Sequence, residues 1–318
     1  MSKPSAPREG VDDVSALAAT LLTLGDQWNL MILHSAFLHH SRRFAQWVER
    51  LGISESVLAD RIRELVAAGI LESVPYRTRT RAREEYWLTE SGLALWSVLV
   101  SIWAWDETWA PGRATDPVRL VHRDCDGAAL PLLACAACGV RDVTARDTWT
   151  ETLSAEAVVA GSRRRHHRKT SRRPLDVAAS FDPQTLDILG DRWSTLLLAT
   201  ALLGARRFSD FRERLGIAQS VLSGRLRLFV DHGVFEAQPT PGQRGHEYRL
   251  TQKGLDFFGV FTQLVAWSRA GHSPGRGDDL IIYHRACGYE FVPLLLCGAC
   301  QQPLTRPSIR FEPEAATR

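Results

Sequence analysis

Apolar residues recur at helical spacing over residues 13–23 and again over 27–38, with the pattern broken at Gly25. A short amphipathic stretch follows at 44–51. Gly52-Ile53 then makes a turn, and Ser54 is a good N-cap for a helix running to about Ala68. Along that helix Leu58, Ile62, Leu65 and Val66 share one face, which predicts its buried side, and Gly69 ends it. Two strand-like runs, Ile70–Tyr76 and Glu85–Leu88, flank an arginine-rich loop. A long helix from about Ser91 to Trp109 closes the unit.

The whole pattern then returns. Gly25-Asp26-Gln27-Trp28 reappears as Gly190-Asp191-Arg192-Trp193, and Arg42-Arg43-Phe44 as Arg206-Arg207-Phe208. Leu51-Gly52-Ile53 with Ser56-Val57-Leu58 reappears as Leu215-Gly216-Ile217 with Ser220-Val221-Leu222. The offset drops from 165 to 164 and then 162, the last step reflecting a second hairpin loop two residues shorter. A period this long makes each copy a whole domain and excludes a solenoid. Helix, short helix, turn, helix and hairpin is the order of a winged helix-turn-helix. The predicted fold class is therefore mainly α with small β-hairpins (α+β).

Composition changes this picture little. The 318 residues, 45% hydrophobic and 24% charged, suit a soluble chain of two domains. No apolar run reaches the ~18 residues of a membrane span, and residues 1–10 lack a signal-peptide core, so a cytoplasmic protein is expected. Net charge is only +3, and Lys3, Lys169 and Lys253 are the only lysines. Arginine dominance fits a GC-rich genome, and it also fits phosphate and guanine recognition by the planar guanidinium. Residues 153–180, with the basic runs Arg163–Lys169 and Arg172-Arg173, read as a linker that tethers and can add phosphate contacts.

These motifs resemble the HxlR-type winged helix-turn-helix transcriptional regulators, relatives of the MarR group. The residues that carry the likeness are Leu-Gly-Asp-Gln/Arg-Trp, Arg-Arg-Phe, Leu-Gly-Ile-x-x-Ser-Val-Leu-x-x-Arg and Tyr-x-Leu-Thr-x-x-Gly-Leu, over about 13–110 and 178–271. The resemblance implies binding to double-stranded DNA, by homodimers of one such domain on palindromic operators. Two copies in one chain suggest instead an intramolecular pseudo-dimer, with a homodimer of the whole chain left open. Some members sense oxidants through a cysteine before the first helix; here Val11–Leu17 and Leu175–Phe181 have none.

A recognition helix reads bases from its N-terminal half while the wing touches an adjacent groove. In copy 1, Ser54, Glu55, Ser56, Ala59, Asp60 and Arg63 are expected to face outward; in copy 2, Gln219, Ser220, Ser223, Gly224 and Arg227. Arg61 and Arg225 are candidates for either a phosphate contact or an internal salt bridge. Arg43 and Arg207 of the Arg-Arg-Phe motif join the DNA-contact set. Arg77, Arg79, Arg81 and Arg83 alternate along the copy 1 wing, a spacing expected to put four guanidiniums on one edge, whereas copy 2 offers Arg244 and His246. The two halves should therefore not read identical half-sites. Trp96, Trp103, Trp105, Trp109 and Trp267 fall on the closing helices, for packing or for an apolar effector pocket.

The second strong signal is His-x2-Cys-x9-Cys-x2-Cys, which occurs twice and uses every cysteine: His122, Cys125, Cys135 and Cys138, then His284, Cys287, Cys297 and Cys300. Thiolates and imidazole in paired knuckles suit tetrahedral Zn2+, two ions per chain, in a structural or a sensing role. Each motif is expected to form its own ribbon-like hairpin. Four protein ligands leave no position for a catalytic water, and the deaminase signature is missing, so an enzyme is not expected. The predicted division is 11–112 and 178–273 for the winged helices, 113–150 and 274–310 for the zinc elements, and 151–177 for the linker. The alternative to a DNA-binding repressor is a metal-dependent protein-interaction or sensor module.

Overall fold

The protein is described by a computed structural model over residues 16–77, 82–110, 118–128, 130–152, 181–239, 245–272 and 280–313. Copy 1 contains α1 (Ala16–Leu24), α2 (Gln27–Leu38), α3 (Phe44–Leu51), α4 (Glu55–Ala67), β1 (Leu71–Arg77), β2 (Ala82–Leu88), α5 (Glu90–Ala94) and α6 (Trp96–Trp109). Three strands follow, β3 (Val118–His122), β4 (Leu132–Cys135) and β5 (Thr148–Thr152). Copy 2 repeats the order with α7 (Pro183–Leu189), α8 (Arg192–Leu202), α9 (Phe208–Leu215), α10 (Gln219–Asp231), β6 (Phe235–Pro239), β7 (His246–Leu250), α11 (Gln252–Asp256) and α12 (Phe258–Trp267). It ends with β8 (Leu280–His284), β9 (Pro293–Leu296) and β10 (Ile309–Pro313).

Local chemistry accounts for the helix-turn-helix units. Asp26 caps α2 by accepting from the Trp28 and Asn29 amides, and Asp191 caps α8 the same way. Gly52 (φ 58°) and Gly216 (φ 57°) take the left-handed conformation between the two helices of each motif, where a side chain would be strained. The expected core face holds: Leu58 and Leu65 are fully buried and Ile62 nearly so, packed near Trp47 of α3, whose place Phe211 takes in copy 2. Ser54 occupies the N-cap position of α4, but its hydroxyl makes no capping bond.

Two elements differ from expectation. The wing strands of copy 1 run further into the arginine run, through Arg77 and from Ala82. The long closing helix is two helices that meet at Leu95, and at Phe257 in copy 2. The first short helix is held to the wing. Thr89 caps it, and a Cβ on Gly92 would lie 2.2 Å from the Ile70 carbonyl oxygen. Such close packing demands glycine, and the helix must bend before α6 can continue along the core.

The largest departure lies in the strands after the winged helices. The two ribbon elements were expected to close within each copy. Every pairing among β3–β5 and β8–β10 instead joins one copy to the other: β3 with β10, β4 with β9 and β5 with β8, all antiparallel. In β4–β9 the pair Leu133↔Leu295 is flanked by Leu132↔Leu296 and Ala134↔Leu294. Leu133 and Leu295 are equivalent positions, so an approximate twofold axis passes between them. Each knuckle closes a small bridge of its own, Val121↔Ala128 and Ala134↔Arg141, and β4, which carries Ala134, pairs with β9 of the other copy.

The helical core also crosses between copies. Trp105 Nε1 donates to the Lys253 carbonyl and Trp267 Nε1 to the Ser91 carbonyl, both at 2.9 Å, a symmetric pair. Trp103 and Trp105 are buried with Trp267, as packing residues. No described helix is long and apolar enough to cross a membrane.

Candidate metal centres and nucleic-acid interface

The exchanged strands regroup the candidate metal ligands. His122 and Cys125 from copy 1 meet Cys297 and Cys300 from copy 2; Cys135 and Cys138 meet His284 and Cys287. The sequence reading named all eight residues but grouped them within each copy, and that grouping is corrected here. In the first group His122 Nδ1 lies 3.2 Å from Cys300 Sγ and 3.6 Å from Cys125 Sγ, which is 3.8 Å from Cys297 Sγ. In the second, His284 Nδ1 lies 3.3 Å from Cys138 Sγ and 3.4 Å from Cys287 Sγ.

Backbone geometry prepares these knuckles. The residue after the second ligand is left-handed in all four: Asp126 (φ 51°), Gly139 (φ 74°), Gly288 (φ 73°) and Gln301 (φ 62°). Gly127 has a different role. Its amide donates to Cys125 Sγ, and a Cβ there would lie 2.6 Å from Ala299 of the facing knuckle. Burial pushes the Cys297 thiol up, but amide donation from Cys300 and Ala299 outweighs it and holds the thiol below its ordinary value. The groups are not identical behind the ligands. His122 Nε2 sits 3.3 Å from Asp124 Oδ2, though not aligned as a hydrogen bond, whereas Ala286 occupies the matching position near His284.

The candidate DNA face is partly as expected. Ser54, Ser56 and Arg63 in copy 1 and Gln219, Ser220, Ser223 and Arg227 in copy 2 are exposed. Arg63 is paired with Asp60 at 2.8 Å, while Arg227 has no carboxylate partner among the described residues. Arg43 pairs with Glu85 of the wing at 2.8 Å and Arg207 with Glu247 at 3.6 Å, both staying about half exposed.

Arg61 and Arg225 are corrected: both turn inward from the DNA-contact set. Arg61 is 7% exposed and grips Asp26, with Nε at 2.9 Å and a terminal nitrogen at 2.8 Å; Arg225 pairs with Asp191 at 2.8 Å. The reason is electrostatic. Each arginine sits beside a capping carboxylate that already points at the helix.

In the wing register Arg77 opposes Ala82 and Arg83 opposes Tyr76, and the side chain of Arg77 is outside what the structure describes. Arg79, Arg81 and Arg244 lie outside the described residues, as does the basic run 163–173. Sequence reading missed Arg42, whose guanidinium stacks 3.4 Å over the Trp87 ring of the wing. In copy 2 Arg249 takes the place of Trp87, so this contact is specific to copy 1. The repeated Gly-Asp was the available signal for the inward arginines. Its meaning required knowing what lies across from it.

A cavity of about 20 Å3 lies between the copies, lined by apolar side chains that include Leu33, Leu99, Ile102, Leu189, Val260 and Leu264. That is the space of about one water molecule. A drug-sized effector would have to open it.

Known proteins share these features. The family model described as "HxlR-like helix-turn-helix" matches residues 23–114 and 188–274, together more than half of the chain. An uncharacterized HTH-type transcriptional regulator of Mycobacterium tuberculosis (strain ATCC 25618 / H37Rv) is 34% identical over 131 residues, 41% of this chain and 83% of the relative. The HTH-type transcriptional regulator YodB of Bacillus subtilis (strain 168) is 31% identical over 90 residues, 28% of this chain and 80% of the relative. The crystal structure of PA1607, described as a candidate transcription factor, is 33% identical with a TM-score of 0.34, covering 40% of this chain and 90% of that one.

Proposed function

The chain belongs to the HxlR-like helix-turn-helix family, and from that premise we propose a single-chain repressor that clamps two DNA-reading heads with two zinc ions. It is a helix-turn-helix transcriptional regulator, of a family that regulates transcription and does not catalyse reactions. The finer reading rests on one observation: each Cys3His group draws two ligands from each copy. Ions bound there staple copy 1 to copy 2, as a dimer interface does in a single-domain relative.

The donor set fits zinc. Metal–sulfur bonds of about 2.3 Å make a tetrahedron with sulfur–sulfur edges of about 3.8 Å. Cys125 and Cys297 show that separation, 3.8 Å. Three thiolates and one imidazole fill the tetrahedron, which favours a structural role over a catalytic one.

The DNA reading is supported by exposed polar recognition faces in both α4 and α10. The faces differ: Glu55 and Asp60 in copy 1 correspond to Gln219 and Gly224 in copy 2. Carboxylates repel phosphate and can accept from a cytosine amine. The operator is therefore asymmetric, with half-sites about one helical turn, roughly 34 Å, apart.

Footprinting of the purified chain on its own promoter region tests this reading. Two unequal protected half-sites, with affinity falling steeply as salt rises, are expected from counterion release. No protection at low salt would overturn it and favour a protein-docking module.

A further inference from the structure

The repeated Gly-Asp turns are not absorbed by the metal sites or by the exposed DNA face. Gly25 lies against the other copy: a Cβ there would sit 2.9 Å from Thr195 Oγ1 and 3.3 Å from Arg192 Cα. Gly190 does the same in reverse, with its Cβ 2.8 Å from Gln27 Cβ. The Gln27 amide also donates to the Gly190 carbonyl at 3.1 Å. The two turns therefore meet across the approximate twofold axis, and a Cβ at either glycine would collide both with the other copy and with a carbonyl of its own helix, Leu21 or Leu186.

The next residue reaches the other way. The Asp26 carboxylate accepts from the Trp28 and Asn29 amides, which fixes its orientation, and holds Arg61 of recognition helix α4 with two nitrogens. Asp191 accepts from the Trp193 and Ser194 amides and holds Arg225 of recognition helix α10. A path of short contacts thus runs from α4 through Arg61 and Asp26 to Gln27, whose amide meets the Gly190 carbonyl, and on through Asp191 and Arg225 to α10. The Asp–Arg link is present in both halves.

We propose that these two Gly-Asp turns form a strut that sets the separation of the recognition helices, with Asp26, Arg61, Asp191 and Arg225 as its positioning residues. The functional consequence rests on the DNA-binding reading. One inserted base pair moves a half-site by about 3.4 Å along the helix axis. A stiff strut converts that displacement into lost affinity, and a loosened one tolerates it. Copy 1 has the firmer end, because Arg61 also pairs with Glu64 at 3.2 Å, where copy 2 carries Leu228.

The experiment measures the helix separation directly, in the full-length, metal-loaded chain without DNA. A ketone-bearing amino acid at Ser56 and Ser220, both exposed, takes a nitroxide and leaves the cysteines to the metal; pulsed EPR then gives the distance distribution. The wild-type strut is expected to give one narrow distribution. Arg61→Met and Arg225→Met should each broaden it, while Arg63→Met, on the exposed face, should not. Asp191→Asn serves as the variant if either methionine variant fails to fold, since asparagine still caps a helix. Unchanged distributions in the strut variants, even with lowered thermal stability, would overturn the strut. On duplexes carrying one inserted base pair between half-sites, the variants should lose about tenfold of the wild type's discrimination. Broadened distances with no binding to any duplex would leave the strut standing and remove the DNA reading.

Discussion

The two copies share a backbone plan but divide their residues into two classes. Several positions that face the other copy come in matched pairs, Gly25 with Gly190, Trp105 with Trp267 and the residues on both sides of each Cys3His group, with Asp106 against Ser268 as an exception. Positions that face away have diverged, as Glu55 against Gln219, Asp60 against Gly224 and Trp87 against Arg249. The difference shows where the two halves constrain each other. A change at the shared axis must be accommodated by both copies, whereas a change on a recognition face alters only one reading head.

The test with the largest expected effect asks whether the metal groups are truly shared. Cys125→Ser with Cys297→Ser removes two ligands from one group, so metal analysis should return one ion per chain. Cys125→Ser with Cys135→Ser damages both groups and should return none. The opposite pattern would restore ribbons closed within each copy. Complete metal removal should cost on the order of 10 kcal/mol of stability, read as a collapse of the thermal transition, because structural zinc sites supply folding energy of that size.

A smaller effect should separate the ends of the closing helices. Asp106 at the end of α6 accepts from the Thr185 hydroxyl and the Asp182 amide, clamping the start of α7, while copy 2 has Ser268 at the matching position. Burial raises the Asp106 carboxyl from 3.8 to about 6, against the hydrogen bonds from Thr185 and Asp182 that lower it. The folded state then holds its proton more tightly than the unfolded state. Stability from this group is greatest below pH 3.8 and is lost as pH rises to about 6. Asp106→Asn should therefore gain about 2 kcal/mol relative to wild type between pH 4 and pH 7 in urea titrations. A flat difference across that range would show that the carboxyl titrates normally. Ser268→Ala should show no such pH dependence.

The reading heads should differ next. Arg227→Ala should weaken DNA binding by about 1–3 kcal/mol, in line with loss of a base or phosphate contact. Arg63→Ala should cost less, because Asp60 already holds that guanidinium. Titration of both variants on the footprinted duplex decides it; equal losses would place the two heads on equal terms. The smallest effect should be symmetric. Trp105→Phe and Trp267→Phe each remove one hydrogen bond to a carbonyl of the other copy, and each should cost about 1 kcal/mol in urea unfolding. Unequal costs would mean that the axis is less symmetric than its geometry.

Much of this was legible along the chain. Apolar spacing gave α2, α3 and α4 within a residue or two, because the buried face of a helix repeats locally. Spacing also picked out all eight residues that gather into the two Cys3His groups. The expectation of four wing arginines on one edge falls largely on residues 77–82, whose side chains lie outside the described part of the chain. Spacing left Arg61 and Arg225 undecided, since a basic residue on a recognition helix looks the same whether it meets phosphate or Asp26.

By itself, then, the sequence determined the order of elements, the duplication and the kinds of ligand, all of which depend on neighbours a few residues apart. Only the tertiary structure decided which cysteines gather in each Cys3His group, where the inward arginines end and how the halves interlock. Those outcomes depend on groups far apart along the chain, from 35 residues for Asp26 and Arg61 to 172 for Cys125 and Cys297.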